Sequence, residues 1–599
     1  MKNHNAENVR NIALVGHANS GKTTLTESLL TATGAIKTAG TVGRGNTVSD
    51  YDPQEKRIQH SLNASICHFD HDGTFVNLID TPGFPDFLGR SISIMPSVET
   101  ACVVVNAQAG IELVTERVME SAGNRGLCRM IVVNRIDMPD TDLPGLMTEL
   151  QERFGAECLP INLPSPGHEA VVDCFFTPDY EAVTEFSSVR EAHDQLIDQV
   201  VEVDEALMEV YLEQGQELSP EQLHDPFEQA LREGHLIPVC FVSAETGAGV
   251  PQLLEVMERL MPNPMEGNPP PFLKGEGAKA QPVEVTPDAD KHVIAHVFKV
   301  TVDPFVGKLA YFRVHQGTVT ANTPLFIGDA RKPFKVSHLL RVQGKEQFDI
   351  PQAVPGDICA VSKVDDIHFD AVLHDSHDED HFHLTTMECP APMHGLAIEP
   401  TKRGDEQKLS EALHKIDAED PCVVIDHRVA LNETVIRGLG ELHLNIILER
   451  MREQFKLEVN THPPSVAYKE TITTQAEGHF RHKKQTGGAG QFAEVFLRVE
   501  PLERGSGFEF ASKVVGGAIP GQFIPAVEKG VRQVLESGAI AGFPLQDIKV
   551  TVHDGKHHSV DSKESAFVTA GKKAFLDAVN QATPIVLEPI VSVRITSPS

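Results

Sequence analysis

Along the first 260 positions, apolar residues come in short dense runs set between stretches of helical periodicity. NIALV (11–15), FVNLI (75–79), RMIVV (129–133) and IPVCF (237–241) are four such runs, and TTLTESLL after the first is amphipathic. Runs of this length with helical patterns between them predict strands of a parallel sheet buried on both faces, with helices as crossovers. Residues 1–262 therefore read as one doubly wound α/β domain. About a hundred residues lie between NRID (134–137) and SAETG (243–247), more than one strand–helix unit needs, so an insert is expected over about 155–235.

The pattern then changes. The stretch 262–284 is rich in Pro and Gly and predicts a linker. From 285 to 371, segments such as HVIAHVFKVTV and KLAYFRVHQGTV alternate apolar and polar residues between Gly and Pro, which predicts a β-barrel. AVLHDSHDEDHFH (371–383) places His374, His377, His381 and His383 among acids. Metal binding is conceivable from those ligand types, but no closed ligand shell is evident, and a solvated linker is the expectation. Residues 388–470, with helices at 404–417 and 440–455, and residues 471–588, with glycine-rich loops, each read as α+β.

Composition narrows the class. The 599 residues exceed a single core, and no apolar run approaches the roughly 20 residues a bilayer span needs. No membrane partner is expected. Nine scattered cysteines without C-x-x-C spacing suit a reducing compartment, hence a cytoplasmic protein. The net charge of −33 argues against nucleic acid until it is divided. From Thr471 onward 14 basic residues face 13 acidic ones, so this part can approach phosphate backbones that repel the acidic remainder.

Candidate chemistry clusters at the carboxyl ends of the predicted strands. VGHANSGKTTL (15–25) fits the phosphate loop G-x-x-x-x-G-K-[ST]. Its backbone from Gly16 through His17, Ala18, Asn19, Ser20 and Gly21 can wrap phosphates. There Lys22 can reach the terminal groups, and Thr23, followed by Thr24, can ligate Mg²⁺. In LIDTPG, Asp80 is placed to hold Mg²⁺ through water, and the Gly83 amide to meet a γ-phosphate. NRID offers Asn134 and Asp137, flanking Arg135; a carboxylate accepts from guanine N1–H and its amine, a donor pair adenine lacks. Ser243 and Ala244 fit a loop supporting the base. Four elements in this order point to GTP and GDP.

With those motifs in place, the chain resembles the elongation factor G family of translational GTPases along nearly its whole length. FKVTVDPFVGKLAYFRVHQG (298–317) is similar to that family's second domain, and RGLGELHLNIILERMREQF (437–455) and PPSVAYKETI (463–472) to its third. KQTGGAGQFAEV (484–495), GGAIPGQFIPAVEKG (516–530) and HDGKHHSVDSKESAF (553–567) are similar to its fourth. The resemblance implies a GTPase domain with insert, a β-barrel, and two α+β domains, ferredoxin-like and S5-like, with residues 589–599 matching the start of a fifth. It also implies a monomer that moves tRNA and mRNA on the ribosome. Gly487, Gly488, Gly490, Gln491, His557 and His558 would then meet ribosomal RNA, tRNA and mRNA at the decoding centre. Residues 298–592 carry no nucleophile motif or metal-ligand spacing, so an unrelated P-loop metabolic enzyme is a poor alternative.

Departures from the family pattern bear on hydrolysis. The family's DTPGH is DTPGF here, with Phe84 where a histidine would position the attacking water. Phenylalanine makes no hydrogen bond, and losing such a group typically costs about 10²-fold or more. The RGITI segment, whose threonine closes over Mg²⁺, is replaced by KRIQHSL (56–62), with Gln59, His60 and Ser61 all open as the counterpart. Asn19 stands where many relatives have Asp. These substitutions also admit a nucleotide-binding ribosome factor with weak or no hydrolysis, acting in recycling, rescue or ribosome protection.

Overall fold

In the computed structural model, residues 4–595 are described apart from 215–217, 219, 304–306, 386–388, 485–489 and 594. They form two compact units that divide at Pro463/Pro464.

The first unit begins with a seven-stranded sheet in the order 65–71, 74–80, 9–15, 100–106, 128–134, 237–241, 158–160. All neighbours run parallel except Ser65–His71 against Thr74–Asp80. Alternation along each strand explains why the runs are apolar toward both faces, the buried Asn77 and Asn11 being satisfied by each other at 2.8 Å. Ile12, Leu14, Cys102, Val104, Met130 and Val132 feed one core. Their sequence neighbours Ala13, Val15, Val103, Val105, Ile131 and Val133 feed another on the opposite face. The expected insert is less separate than its length suggests. Its strand Cys158–Pro160 pairs in parallel with Ile237–Phe241, and Leu196, Ile197 and Phe227 share a core with Leu25 and Leu29.

The linker stretch 262–284 also carries strands. Phe272–Lys274 and Gln281–Val283 join Phe382–Leu384 in a three-stranded sheet, so the histidine-rich stretch is ordered too, contrary to the solvated linker expected of it. His374 is fully buried, with Nδ1 at 2.7 Å from the Ser376 carbonyl and Nε2 at 2.8 Å from that of Gly328, while His377 and His381 pair with Asp380 and Asp329. An alternating sequence with few large residues hid this, because its partners lie a hundred positions away.

Between these segments, an eight-stranded antiparallel sheet encloses Val297, Phe312, Val314, Val361 and Leu373 on one side. Its other side gives Phe298, Leu309, Tyr311 and Ile358 to the core of the α/β domain. Further on, strands His394–Pro400, Val424–Arg428, Glu433–Gly438 and Val459–His462 form an antiparallel sheet in the order 2-3-1-4. Helices Glu406–Glu419 and Glu441–Glu453 supply the crossovers, which is the ferredoxin-like arrangement.

The second unit holds a sheet of Ala476–Lys484, Gln491–Pro501, Ile548–Lys556 and Phe508–Ser512, the last two parallel, covered by helices Ile524–Ser537 and Glu564–Gln581. Lys469–Ile472 pairs with Pro584–Leu587, and buried Glu470 accepts from the amides of Ala539, Ile540, Ala541 and Phe543. Those bonds draw 464–470 into this unit, a few residues ahead of the boundary that periodicity placed at 470/471. Among the described residues no helix is long and apolar enough to cross a membrane. All nine cysteines are free thiols, eight of them buried.

Candidate functional site

Strand Val9–Val15 delivers the chain into the phosphate loop, and helix Lys22–Ala32 leaves it with its N-terminus open at Gly21. Gly21 has φ +91°, and a Cβ there would lie 2.3 Å from the Asn134 amide nitrogen. Asn19 also adopts the left-handed region, at φ 63°, which asparagine tolerates better than most residues. Lys22 folds back over the loop, its Nζ donating to the carbonyls of Gly16 at 2.9 Å and His17 at 2.7 Å. Ser20 Oγ donates to the same His17 carbonyl, and the His17 ring approaches Glu112 at 3.3 Å.

Strand Thr74–Asp80 brings a carboxylate to this loop. Thr23 Oγ1 donates to Asp80 Oδ2 at 2.9 Å and lies 3.1 Å from Ser61 Oγ. Of the three residues open as the switch counterpart, Ser61 is therefore the one that brings its hydroxyl to Thr23. Burial drives both charges of the site toward neutrality. It lowers Lys22 to about 8, and with the charge of Asp50 it raises Asp80 to about 7. Asp50, raised by its own burial, was not evident from sequence; no spacing rule ties it to Asp80. Asp80 Oδ1 and Asp50 Oδ2 are buried without a hydrogen-bond partner. Two such carboxylates with two hydroxyls make an all-oxygen donor set of the kind that suits a hard divalent cation.

Gly83 closes the loop's other side. A Cβ there would lie 2.6 Å from the Ala18 nitrogen and the Lys22 Nζ, so only glycine fits. A cavity of about 160 Å³ runs between these parts, lined by Asn19, Lys22, Thr24, His60, Phe84 and Arg135, among others. Behind the loop Asn134 braces two segments at once. Its Nδ2 donates to the Ser20 carbonyl at 2.9 Å, and its Oδ1 accepts from the Ala244 amide at 3.0 Å. Ser243 is fully buried and accepts from Thr246 N, holding the 243–247 turn. Asp137 is exposed.

The segments 50–63 and 80–92 on either side of this cavity are both tied to the ferredoxin-like domain. Asp86 Oδ1 accepts from the His443 backbone N–H at 3.1 Å, at the first turn of helix Glu441–Glu453. Arg90 donates to Asp420 Oδ2 at 2.7 Å, to the Leu62 carbonyl at 2.8 Å and to Asn63 Oδ1 at 2.8 Å. His443 Nε2 lies 2.9 Å from the same Asp420 oxygen. Burial alone would raise the Asp420 carboxyl; Arg90 and then His443 hold it well below the usual carboxylate range. Gln54 reaches the Ile446 carbonyl, and Arg57 pairs with Glu449 and Glu453. These partners, hundreds of residues apart, have no local signature.

Similarity to known proteins follows the same layout. Residues 7–263 match the elongation factor Tu GTP-binding domain, 292–373 elongation factor G domain 2, 389–463 its domain III and 464–583 its domain IV. Elongation factor G from Orientia tsutsugamushi is 35% identical, across 100% of this chain and 88% of that protein. The chain belongs to the elongation factor G family. An elongation factor G-like protein of Mycobacterium tuberculosis is also 35% identical, over 98% of this chain and 86% of that one. A solved structure from Thermus thermophilus, 34% identical, superposes with a TM-score of 0.80 over 96% of this chain and 85% of its own. A guanine-nucleotide site is thus a family property of the α/β domain.

Of the expected ribosome-facing residues, Gly487 and Gly488 lie outside the described residues. Gly490, Gln491, His557 and His558 gather at one end of the second unit's sheet. Phe492 N donates to the Asp561 carbonyl, and Ser562 Oγ to that of Phe492, which joins the two loops. Gln491 meets His482, and His558 Nδ1 accepts from the Asp561 amide at 3.2 Å.

Proposed function

We propose that this protein is a GTP-driven ribosomal factor that moves tRNA and mRNA during elongation, hydrolysing GTP to GDP and phosphate as it does so. The carrying observation is the pair of γ-phosphate-facing segments, 50–63 and 80–92, hydrogen-bonded to domain III through Gln54, Asp86 and Arg90. A ligand that rearranges either segment changes that interface, so nucleotide state is read as domain position.

Lys22 and the loop 16–24 hold the phosphates, Asn134, Asp137, Ser243 and Ala244 hold guanine, and Arg135 covers it. Thr23 and Asp80 would hold Mg²⁺, with Ser61 and Asp50 beside them. The ion neutralises charge on the β- and γ-phosphates when bound. Every other contribution comes from the chain. The Gly83 amide is placed for a γ-phosphate oxygen, and burial of Lys22 strengthens its attraction to phosphate charge.

At the end of the second unit, Lys483, Lys484, Lys556, His557 and His558 are exposed together, which supports contact with ribosomal RNA, tRNA or mRNA. Buried free thiols suit a reducing compartment, and the protein is read as a monomer working in the cytoplasm. Toeprinting of pre-translocation ribosomes tests the reading directly. Addition of the protein with GTP should shift the mRNA toeprint by one codon, and an unchanged toeprint with the protein bound would refute translocation.

A further inference from the structure

Phe84 removes from the second switch segment the hydrogen-bonding group expected to order the attacking water. The structure shows what surrounds it. One side of Phe84 joins an apolar cluster with Leu62, Phe87 and Ile446. On it lies the ring of His60, edge to face, with centroids 4.6 Å apart and planes at 88°. Both rings line the cavity that also holds Lys22, Thr23 and Gly83.

The backbone fixes His60 there. Gln59 ends helix Pro53–Ile58 in the left-handed conformation, φ 58°, and the His60 amide donates to the Glu55 carbonyl at 3.3 Å. The next residue is Ser61, whose hydroxyl meets Thr23. His60 is therefore one residue from the group that reaches the cation side, and its ring is braced by Phe84. Among the described residues, neither ring nitrogen of His60 takes a hydrogen bond within the chain. Of the other polar groups near it, Thr81 Oγ1 donates to the Leu14 carbonyl and Ser61 is held at Thr23, while the exposed Gln59 turns its Nε2 to the Gly43 carbonyl at 3.4 Å.

We propose that His60 orders the attacking water, so that the imidazole of this site comes from the first switch segment rather than the second. This rests on the GTP-hydrolysing reading above. The water oxygen forms the bond to the γ-phosphorus as the bond to the β–γ bridging oxygen breaks. The electron pair leaves with GDP, and the water's proton passes to the released phosphate. His60 contributes a hydrogen bond that fixes the water in line and keeps no proton. Phe84 contributes the flat apolar face against which the ring is held.

Four proteins test it: wild type, His60→Ala, His60→Gln and His60→Ala/Phe84→His. Ribosome-stimulated GTP turnover should fall about 10²-fold in His60→Ala. Affinity for a fluorescent GTP analogue should stay within about twofold, since only a transition-state contact is lost. Ribosome-bound capture of fluorescent GDP with aluminium fluoride, a readout independent of turnover, should be lost in parallel. His60→Gln, which still hydrogen-bonds, should keep most of the rate, and the double variant should regain it by returning an imidazole to position 84. Turnover of His60→Ala within about threefold of wild type overturns the assignment. Wild type that binds GTP without turning it over on ribosomes overturns it as well. Failure to bind the GTP analogue at all would instead remove the nucleotide-site reading beneath it.

Discussion

Arg90→Ala is the substitution whose consequence can be worked out most fully. The guanidinium serves three acceptors from two places: Asp420 in domain III, and Leu62 and Asn63 in the first switch segment. Its side chain is 14% exposed and that of Asp420 3%, so the pair is shielded from water. Removing one member of a buried pair typically costs about 3–5 kcal/mol. Asp420 keeps the Cys422 amide and His443 as partners, which places the loss near the lower end of that range. About 3 kcal/mol corresponds to roughly a hundredfold in a local opening equilibrium. The chain has several domains, so a single unfolding free energy is not well defined, and hydrogen exchange is the appropriate assay. In Arg90→Ala, amides of 54–63 and 441–453 should exchange about a hundredfold faster, while the second unit is unchanged. Exchange in both segments within about threefold of wild type would refute the claim that this network joins the switch to domain III.

Two further consequences follow from buried carboxyls and from the base pocket. Burial, then the charge of Asp50, raises Glu55 to about 8 against the pull of the Leu62 and Asn63 amides. Its folded value therefore lies above the unfolded one of about 4.3, and the stability it contributes is complete below that pH and lost as pH rises through about 8. In the nucleotide-free protein the local opening free energy of 54–63, read by hydrogen exchange corrected for intrinsic rates, should fall across that window by about 1.4 kcal/mol per pH unit from this group, and Glu55→Gln should flatten the slope. Asp137→Asn replaces an acceptor of guanine N1–H and amine with a group that also donates. It should weaken GTP binding by about 10²-fold and improve binding of xanthosine triphosphate, which carries a carbonyl in place of the amine. Equal affinity for both nucleotides in both proteins would sink the base assignment.

The parallel sheet and its phosphate loop were legible because each depends on neighbours in sequence. Five-residue apolar runs specify strands covered on both faces, and Gly16 to Thr23 carry the whole loop within one turn. The strand-end positions of Asp80 and Asn134 were legible because the carboxyl ends of strands mark the rim of such a sheet. Contacts closed over long separations were not. Asp50 joins Asp80 across a loop without periodicity, and Arg90 meets Asp420 only after domain III has folded. The segment 262–284 lies between the α/β domain and the barrel as a linker would, but its short strands were not legible because proline and glycine suppress the strand pattern, even though Phe272 finds a buried place against Leu384. At the switch, spacing left Gln59, His60 and Ser61 equivalent. One left-handed turn at Gln59 separates them, directing Ser61 to Thr23 and His60 to Phe84.

The central claim is a guanine-nucleotide switch worked by the ribosome, and nucleotide turnover measured with and without ribosomes tests it most directly. GTP should be hydrolysed slowly by the free protein and at least about 10²-fold faster on ribosomes, with ATP inert in both. GTP turnover that ribosomes leave unchanged would contradict it.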